Sequence, residues 1–476
     1  MDFFLFHGKI WRGKGQFCDA MIVRKGRIAA LGRQQELYPL AGGCSFIDCG
    51  GRTMLPGFFD ACLCLAAACS PLPEGTEGLA GACKTWLTVH PRQAKKGAHL
   101  FWRSAGAVLS RQALDDIWPT APLVLEDVAR GIAWANTAAL ARLGQKGVPA
   151  SCAPYLTFDE QGRPDGGFSG PACRLAASVI PRPTQQQRKA QVRGWLQQAA
   201  CMGITTVQSM DLGLSLDKGA LQVIRQLYRE EPALPRLQLL CPPEYRRWAH
   251  GERQTEARPA PAGQFTTQEE LPRLNRVGGQ FLLPVEDGEG LEKLLEHLRQ
   301  NPLSPDNPRR LTLLGASCTR SRQLREMGSA ALGVIAFPGR LEQSLAACAA
   351  QPGVELDTCC AWRTLSRLGG KVAFGGLDEM APFRSLKKAV CRTAVMASGQ
   401  SAPSKEALTL EEGLEAMTSS AAWTDFQEDL VGRLQPGFRA DLQVLDRDVF
   451  TCPTEEVHAI RPLLTMSGGM VLHREI

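Results

Sequence analysis

The chemistry available to this 476-residue chain is held mainly by seven histidines and seventeen cysteines. The densest group is Asp60-Ala61-Cys62-Leu63-Cys64, in which a carboxylate and two thiols recur at every second residue. On an extended strand that spacing turns all three side chains to one face. Thiolates are good zinc ligands, and an activated thiol is a nucleophile. The chemical readings are therefore a metal site on Cys62, Cys64 and a third thiol such as Cys359 or Cys360, a reactive thiol, or a disulfide. The plain reading is that cysteine serves here as a small apolar filler. It is preferred, because no Cys-x-x-Cys pair or flanking base tunes these thiols. The histidines (7, 90, 99, 250, 297, 458 and 473) are scattered, with no His-x-His or His-Glu-x-x-His among them.

The elements that must position this group follow from the flanking residues. Gly57 breaks the preceding segment, and the apolar run after it reads as a buried strand entered through a Pro-Gly turn. Residues 19–32 read as a hairpin with Lys25-Gly26 at the bend, and residues 46–51 as a strand and turn. Residues 437–446 and 468–473 have the same character, the latter opening on Gly468-Gly469. The two ends are thus expected to build one small composite β-sandwich from residues 1–56 and 431–476. Between them, residues 57–430 alternate helical and short apolar segments, including 123–125, 185–207, 291–299, 333–337 and 371–375. Such alternation predicts a parallel sheet, and this length suits closure into a (β/α)8 barrel. Asn136 is placed to cap one helix, and Thr409 with Glu412 to form a capping box on another. The polar, Pro/Gly-rich stretch 251–267 reads as a surface loop.

Composition narrows the function classes. A hydrophobic fraction of 44% and a charged fraction of 21% are those of an ordinary globular protein. The net charge of +6 is spread along the chain, and Arg-rich patches at 245–247 and 308–310 accompany no nucleic-acid motif. No nucleic-acid or membrane partner is expected. The N-terminus lacks the charge and apolar run of a signal peptide, and the most apolar window, 61–69, is about half a membrane span. Scattered cysteines in such a chain are expected to be free thiols in a reducing cytoplasm.

The order and spacing of several motifs identify a family resemblance over nearly the whole length, with poor agreement from 212 to 266. Leu55-Pro56-Gly57-Phe58-Phe59-Asp60-Ala61-Cys62-Leu63-Cys64 resembles the first barrel strand of the amidohydrolase superfamily, Leu-Pro-Gly-Phe-x-Asp-x-His-x-His. Leu114-Asp115-Asp116-Ile117-Trp118-Pro119, Asn136-Thr137-Ala138-Ala139-Leu140, Gly162-Arg163-Pro164-Asp165-Gly166, Gly203-Ile204-Thr205-Thr206-Val207 and Gly432-Arg433-Leu434-Gln435-Pro436-Gly437 resemble markers of amidohydrolase family 3, which contains N-substituted formamide deformylase-like enzymes. The resemblance implies an α/β fold, a TIM-type barrel with a composite β-sandwich, and hydrolysis of carbon–nitrogen bonds by water activated on zinc.

Every position to which that chemistry would be carried is altered. The resemblance places the first-strand metal histidines at Cys62 and Cys64, a further histidine at Ile132 and a glutamate at Gly170. Two later histidines fall on Pro284 and Gly315, and the catalytic aspartate on Leu377. No lysine occurs from 219 to 292, where a bridging lysine is expected. Asp378, one place late, is a weak candidate base that the period of a strand turns the other way. Asp60, Ile132, Trp134, Gly170 and Cys359 are the residues that could line a pocket. The expectation is a pseudoenzyme that needs no cofactor and binds a small molecule, forms a homodimer or pairs with an active paralogue. The alternatives are an active hydrolase with a rebuilt zinc site, and thiol chemistry at Cys62 and Cys64.

Overall fold

The computed structural model describes residues 1–68, 78–102, 110–127, 132–169, 172–210, 217–241, 255–259, 282–285, 287–303, 310–377, 381–392, 402 and 404–476. They form two compact units. The first comprises Met1–Leu63, Arg193–Gly213 and Ile224–Ile476, the second Cys64–Val192 and Leu214–Val223.

The chain ends of the first unit build two sheets. In one, Phe3–Phe6 lies between Ser45–Asp48, its parallel partner, and Ala20–Arg24, its antiparallel one, and Ala20–Arg24 continues into Arg27–Gly32. The bend is at Lys25-Gly26, both with positive φ. In the other, Thr53–Pro56 takes Lys9–Trp11 on one side and Leu442–Leu445 on the other, and Pro462–Ser467 and Met470–Arg474 follow outward. Leu5, Met21, Met54, Leu442, Val444 and Leu464 come from both sheets into one core and are fully buried. Each such side chain contributes roughly 1.5–3 kcal/mol by leaving water. Asp448 ties the ends polarly as well, accepting from Lys9 Nζ at 2.7 Å and Thr53 Oγ1 at 2.8 Å.

The rest of the first unit carries eight strands whose pairings are all parallel. Phe58–Leu63, Ile204–Ser209, Arg236–Cys241 and Thr255–Pro259 form one four-stranded sheet. Leu282–Val285, Thr312–Gly315, Gly333–Ala336 and Lys371–Phe374 form a second. Thr255–Pro259 corrects the expectation of a surface loop over 251–267: its backbone pairs with Arg236–Cys241 over five residues. Strand pairing is a property of the backbone, so a polar segment can take the outer position of a sheet. The capping box is present, with Thr409 Oγ1 accepting from Glu412 N–H and Glu412 accepting from Thr409 N–H.

The second unit departs from the expected parallel alternation. Its sheet runs in the order Leu156–Phe158, Pro164–Ser169, Ile132–Ala135, Leu123–Asp127, Ala98–Trp102, and only the last pair is parallel. Short connections explain this. Few residues separate 127 from 132 and 158 from 164, too few for a crossover, so the strands turn back on themselves.

The expectation of free thiols is corrected at one pair. Cys318 and Cys348, 30 residues apart, form a disulfide with Cα atoms 5.2 Å apart. Both are buried. Thirteen other cysteines among the described residues stand outside this disulfide. No helix among the described residues is long and apolar enough to cross a membrane.

Candidate functional site

The expected site centres on Phe58–Leu63, and the carboxylate of that strand, Asp60, is engaged by backbone. Asp60 is fully buried. Its Oδ1 accepts from the N–H of Gly376 at 2.9 Å and of Cys62 at 3.2 Å, and its Oδ2 accepts from the N–H of Leu377 at 2.8 Å. Gly376 and Leu377 follow the strand Lys371–Phe374, so Asp60 ties its own strand to the segment that leaves that one. The Gly376 N–H also donates to the carbonyl of Cys62 at 2.9 Å. Close approach requires Gly375: a Cβ there would stand 2.9 Å from the Cys62 carbonyl oxygen and from Ile335 Cγ2. Hydrogen bonds to a charged acceptor are worth roughly 1.5–3 kcal/mol each, about twice the neutral kind.

Cys62 packs in an apolar cluster with Ile335, Ala373, Met210 and Leu314. Its Sγ lies 3.1 Å from the Met210 sulfur. Cys64 does not share its strand, contrary to the alternating reading. The strand ends at Leu63, and the Cys64 carbonyl accepts from Ala68 N–H at the start of the short helix Leu65–Ala68. Helix initiation ends the strand period before that residue.

The other altered positions carry no ligand atom in their side chains. Pro284 lies within the strand Leu282–Val285 and is half-buried. Gly315 closes its strand with φ +82°. Leu377 is fully buried and meets Asp60 through its backbone. Asp378 and Gly170 lie outside the described residues. Ile132 and Trp134 stand on the second unit's sheet, where Trp134 packs with Leu100, Leu114 and Leu125, and Ile132 lies against the same cluster.

Cys359 and Cys360 sit in a different part of the first unit. Cys359 Sγ donates to the Glu355 carbonyl at 3.4 Å, and the Cys360 N–H to the carbonyl of Ser317 at 2.8 Å. Burial pushes the Cys359 thiol up to about 12, the adjacent Cys360 adding to it, and burial pushes Cys360 up to about 11. Both are neutral thiols near pH 7, the form that neither attacks nor binds zinc well. Arg392, itself buried, donates to both of their carbonyls and lies over the Trp362 ring. Among the described residues, no group of three or more His, Cys, Asp or Glu is arranged to hold a metal ion. A catalytic zinc needs about three ligands and an open position, and the described donors form no such set.

Sequence reasoning missed Met210 as the neighbour of Cys62 and Gly375 as the close-approach residue; the Gly375-Gly376 pair ahead of Leu377 was the available signal. Asn136 does more than cap. Its Oδ1 accepts from the N–H groups of Ala139 and Leu123, and its Nδ2 donates to the carbonyls of Trp118 and Ala121. Asp115 accepts from both the N–H and the hydroxyl of Thr137. These motif residues are staples of the second unit's architecture.

Comparison with known proteins agrees with this framework. An amidohydrolase family model matches residues 45–262 and 285–473. A Bacillus subtilis (strain 168) protein, amidohydrolase YtcJ by name, is 21% identical over 98% of this chain and 99% of its own. A metal-dependent hydrolase from Pyrococcus horikoshii OT3 superposes with a TM-score of 0.72 at 16% identity, covering 96% of this chain and 99% of that one. A similar hydrolase from Pyrococcus furiosus gives 0.66 at 18% identity, over 94% and 99%. A zinc-bound adenosine deaminase from Xanthomonas campestris gives 0.56 at 11% identity, over 99% and 93%.

Proposed function

The chain belongs to the amidohydrolase family, and from that premise we propose that it is a member that has given up metal-assisted hydrolysis and keeps the fold as a binding scaffold. The observation that supports this reading is the setting of Cys62, where the resemblance expects a metal histidine: its Sγ lies 3.1 Å from the Met210 sulfur in an apolar cluster. The family's acid position is itself a leucine, Leu377. A hydrolase of this type needs a water made nucleophilic and a carbonyl made electrophilic, each supplying several kcal/mol of the barrier reduction. Here the first-strand thiol lies against Met210 and apolar neighbours, an environment suited to filler. The two four-stranded parallel sheets are read as halves of one (β/α)8 barrel. The hydrogen bonds that join the ends of Phe58–Leu63 and Lys371–Phe374 support that closure. A small-molecule ligand, a homodimer or an active paralogue in the cytoplasm completes the proposed setting. An N-substituted formamide is the ligand class the family resemblance favours.

The test is metal content by mass spectrometry, on protein expressed with added zinc and purified without chelator, paired with an assay on N-formyl amines. Less than about a tenth of an equivalent and no turnover is expected. Near one equivalent, lost on changing Cys62 and Cys64, or turnover abolished by a chelator would overturn the proposal in favour of a rebuilt thiolate site.

A further inference from the structure

We propose that Cys201, with His473 and Glu475 beside it, is a thiol-exchange site that takes up a small disulfide of the glutathione type as a mixed disulfide. Of the described cysteines outside the Cys318–Cys348 bond, Cys201 is the exposed one. Its Sγ lies 3.6 Å from His473 Nδ1. The other ring nitrogen, Nε2, lies 3.4 Å from Glu475 Oε1. A nucleophile, a base within its reach and a carboxylate beside the base are the parts of an activated thiol.

A helix end and the last strand bring these residues together. Cys201 closes the helix Gln185–Cys201. The chain then turns at Gly203, whose φ is +80° and whose N–H donates to the Ala200 carbonyl. A Cβ at Gly203 would stand 2.2 Å from Gln443 Oε1 and 3.0 Å from Pro462 Cγ, so glycine lets the helix end meet the sandwich strands this closely. His473 lies on Met470–Arg474, opposite Thr465. Glu475 follows it and is fixed by its N–H, which donates to the Leu463 carbonyl at 2.7 Å. Arg461 Nη1 donates to Glu475 Oε2 at 2.7 Å, and the other oxygen, Oε1, is the one turned to His473. The Gly203 carbonyl accepts from Phe58 N–H at 2.9 Å. This seam therefore lies by the beginnings of the strands Phe58–Leu63 and Ile204–Ser209, whereas Cys62 stands near the far end of the first.

The charged groups around the thiol decide how it can react. They are His473 and Glu475 from the last strand and its tail, and Arg461, which also stands 3.7 Å from Asp446. Partial burial raises the Cys201 thiol above its ordinary value, and the Glu475 charge adds to this. The thiol is therefore protonated near pH 7, and attack requires a proton acceptor at hand. Glu475 favours the imidazole tautomer with its proton on Nε2, which turns the Nδ1 lone pair to the thiol. In the exchange, the proton passes from Sγ to Nδ1 as Sγ bonds to one sulfur of the small disulfide. The S–S bond breaks, and the departing thiolate takes the proton from the imidazolium. One disulfide and one thiol are consumed, and one mixed disulfide and one thiol are formed. A raised thiol is the stronger nucleophile once deprotonated. A sulfur electrophile also needs no oxyanion donors of the kind a carbonyl requires.

The experiment is incubation of the full chain with oxidised glutathione, with uptake at each cysteine followed by peptide mass mapping from about pH 6 to about pH 10. Near pH 7, uptake at Cys201 is expected to be about tenfold slower in His473→Gln than in the unaltered chain, the gap closing toward about pH 10, where hydroxide replaces the base. Glu475→Gln, which removes the orienting charge and keeps the imidazole, is expected to fall between the two. Cys452 is half-buried and its Sγ donates to the Pro453 carbonyl. Its uptake reports on the fold and is expected to be unchanged in both variants. The proposal is overturned by Cys201 reacting no faster than Cys452, by unchanged rates at Cys201 in both variants, or by a loss in His473→Gln that stays constant across the pH series, which would make His473 a packing residue only.

Discussion

The N–H of Leu377 donates to Asp60 Oδ2 at 2.8 Å. Leu377, where the sequence resemblance would put an acid, thus serves the first-strand carboxylate as a hydrogen-bond donor, and does so with its backbone. The side chain of Leu377 is free to be apolar, and it is fully buried.

Removing the acceptor tests that relationship. Asp60→Ala leaves the buried N–H groups of Cys62 and Leu377 to find new partners, at roughly 1–3 kcal/mol each, while Gly376 N–H keeps the Cys62 carbonyl. The expected loss is on the order of 4 kcal/mol by urea denaturation, with Asp60→Asn retaining part of it. A loss near zero for Asp60→Ala would mean that the carboxylate has no structural role.

Restoring the acid is expected to harm rather than help. Leu377→Asp sets a second carboxylate beside that of Asp60 in a site closed to water, where like charges disfavour each other and burial disfavours both. A lowered melting temperature with no gain in hydrolysis of N-formyl amines is expected. Appearance of zinc-dependent turnover would show that one residue separates this chain from catalysis.

Thiol mapping separates filler from chemistry. Near pH 7, with the chain folded, Cys359 and Cys360 should resist iodoacetamide, because both are buried and their thiols are raised to about 12 and about 11. Cys201, which is exposed, should label before them. Cys62→Ala should cost about 1 kcal/mol, the scale of a small core truncation. Mass-mapped labelling in which Cys62 or Cys359 reacts first would revive the thiol-chemistry alternative.

The sandwich ends carry a defined acid response. Burial pushes Asp448 upward, but its bonds to Lys9 and Thr53 outweigh that, and its carboxyl lies below the ordinary value. A depressed folded value means stability that is present above the unfolded value of about 3.9 and is lost as pH falls through the folded one. Asp448→Asn should flatten the decline of stability below about pH 4, measured by denaturation across an acid series. An unchanged slope would assign the decline to other carboxylates.

The disulfide closes a loop of about thirty residues between Cys318 and Cys348. Chain-entropy reasoning values such a closure at about 3–4 kcal/mol. Cys318→Ser should lower stability by up to that amount without reductant and by much less with it. Equal losses in both conditions would point to packing as the cause.

Much of this architecture was legible in local chemistry. The Lys25-Gly26 bend, the Thr409–Glu412 box and the Asn136 cap each depend on a few adjacent residues, and each stands where the residue types demanded. The direction of strand pairing over 98–169 was not legible, since an apolar run such as Leu123-Val124-Leu125 reads the same beside a parallel or an antiparallel neighbour. Cys64 was misplaced by one residue of strand length, since the strand ends at Leu63. The disulfide left no trace in spacing, because the helix Ser321–Ser329 and the strand Gly333–Ala336 lie between its partners, and Cys348, on the helix Leu341–Ala349, meets Cys318 only through the packing of that region.

The strand Thr53–Pro56 waits a long time for its neighbour. Its partner Lys9–Trp11 is synthesised before it, yet its other edge is filled by Leu442–Leu445, roughly 390 residues later. At about 5–20 residues per second, the ribosome leaves that edge open for roughly 20–80 s. Through that interval the nascent chain displays a half-built sheet with apolar Met54 and Leu55, an invitation to chaperones and to the same edge of a neighbouring nascent copy.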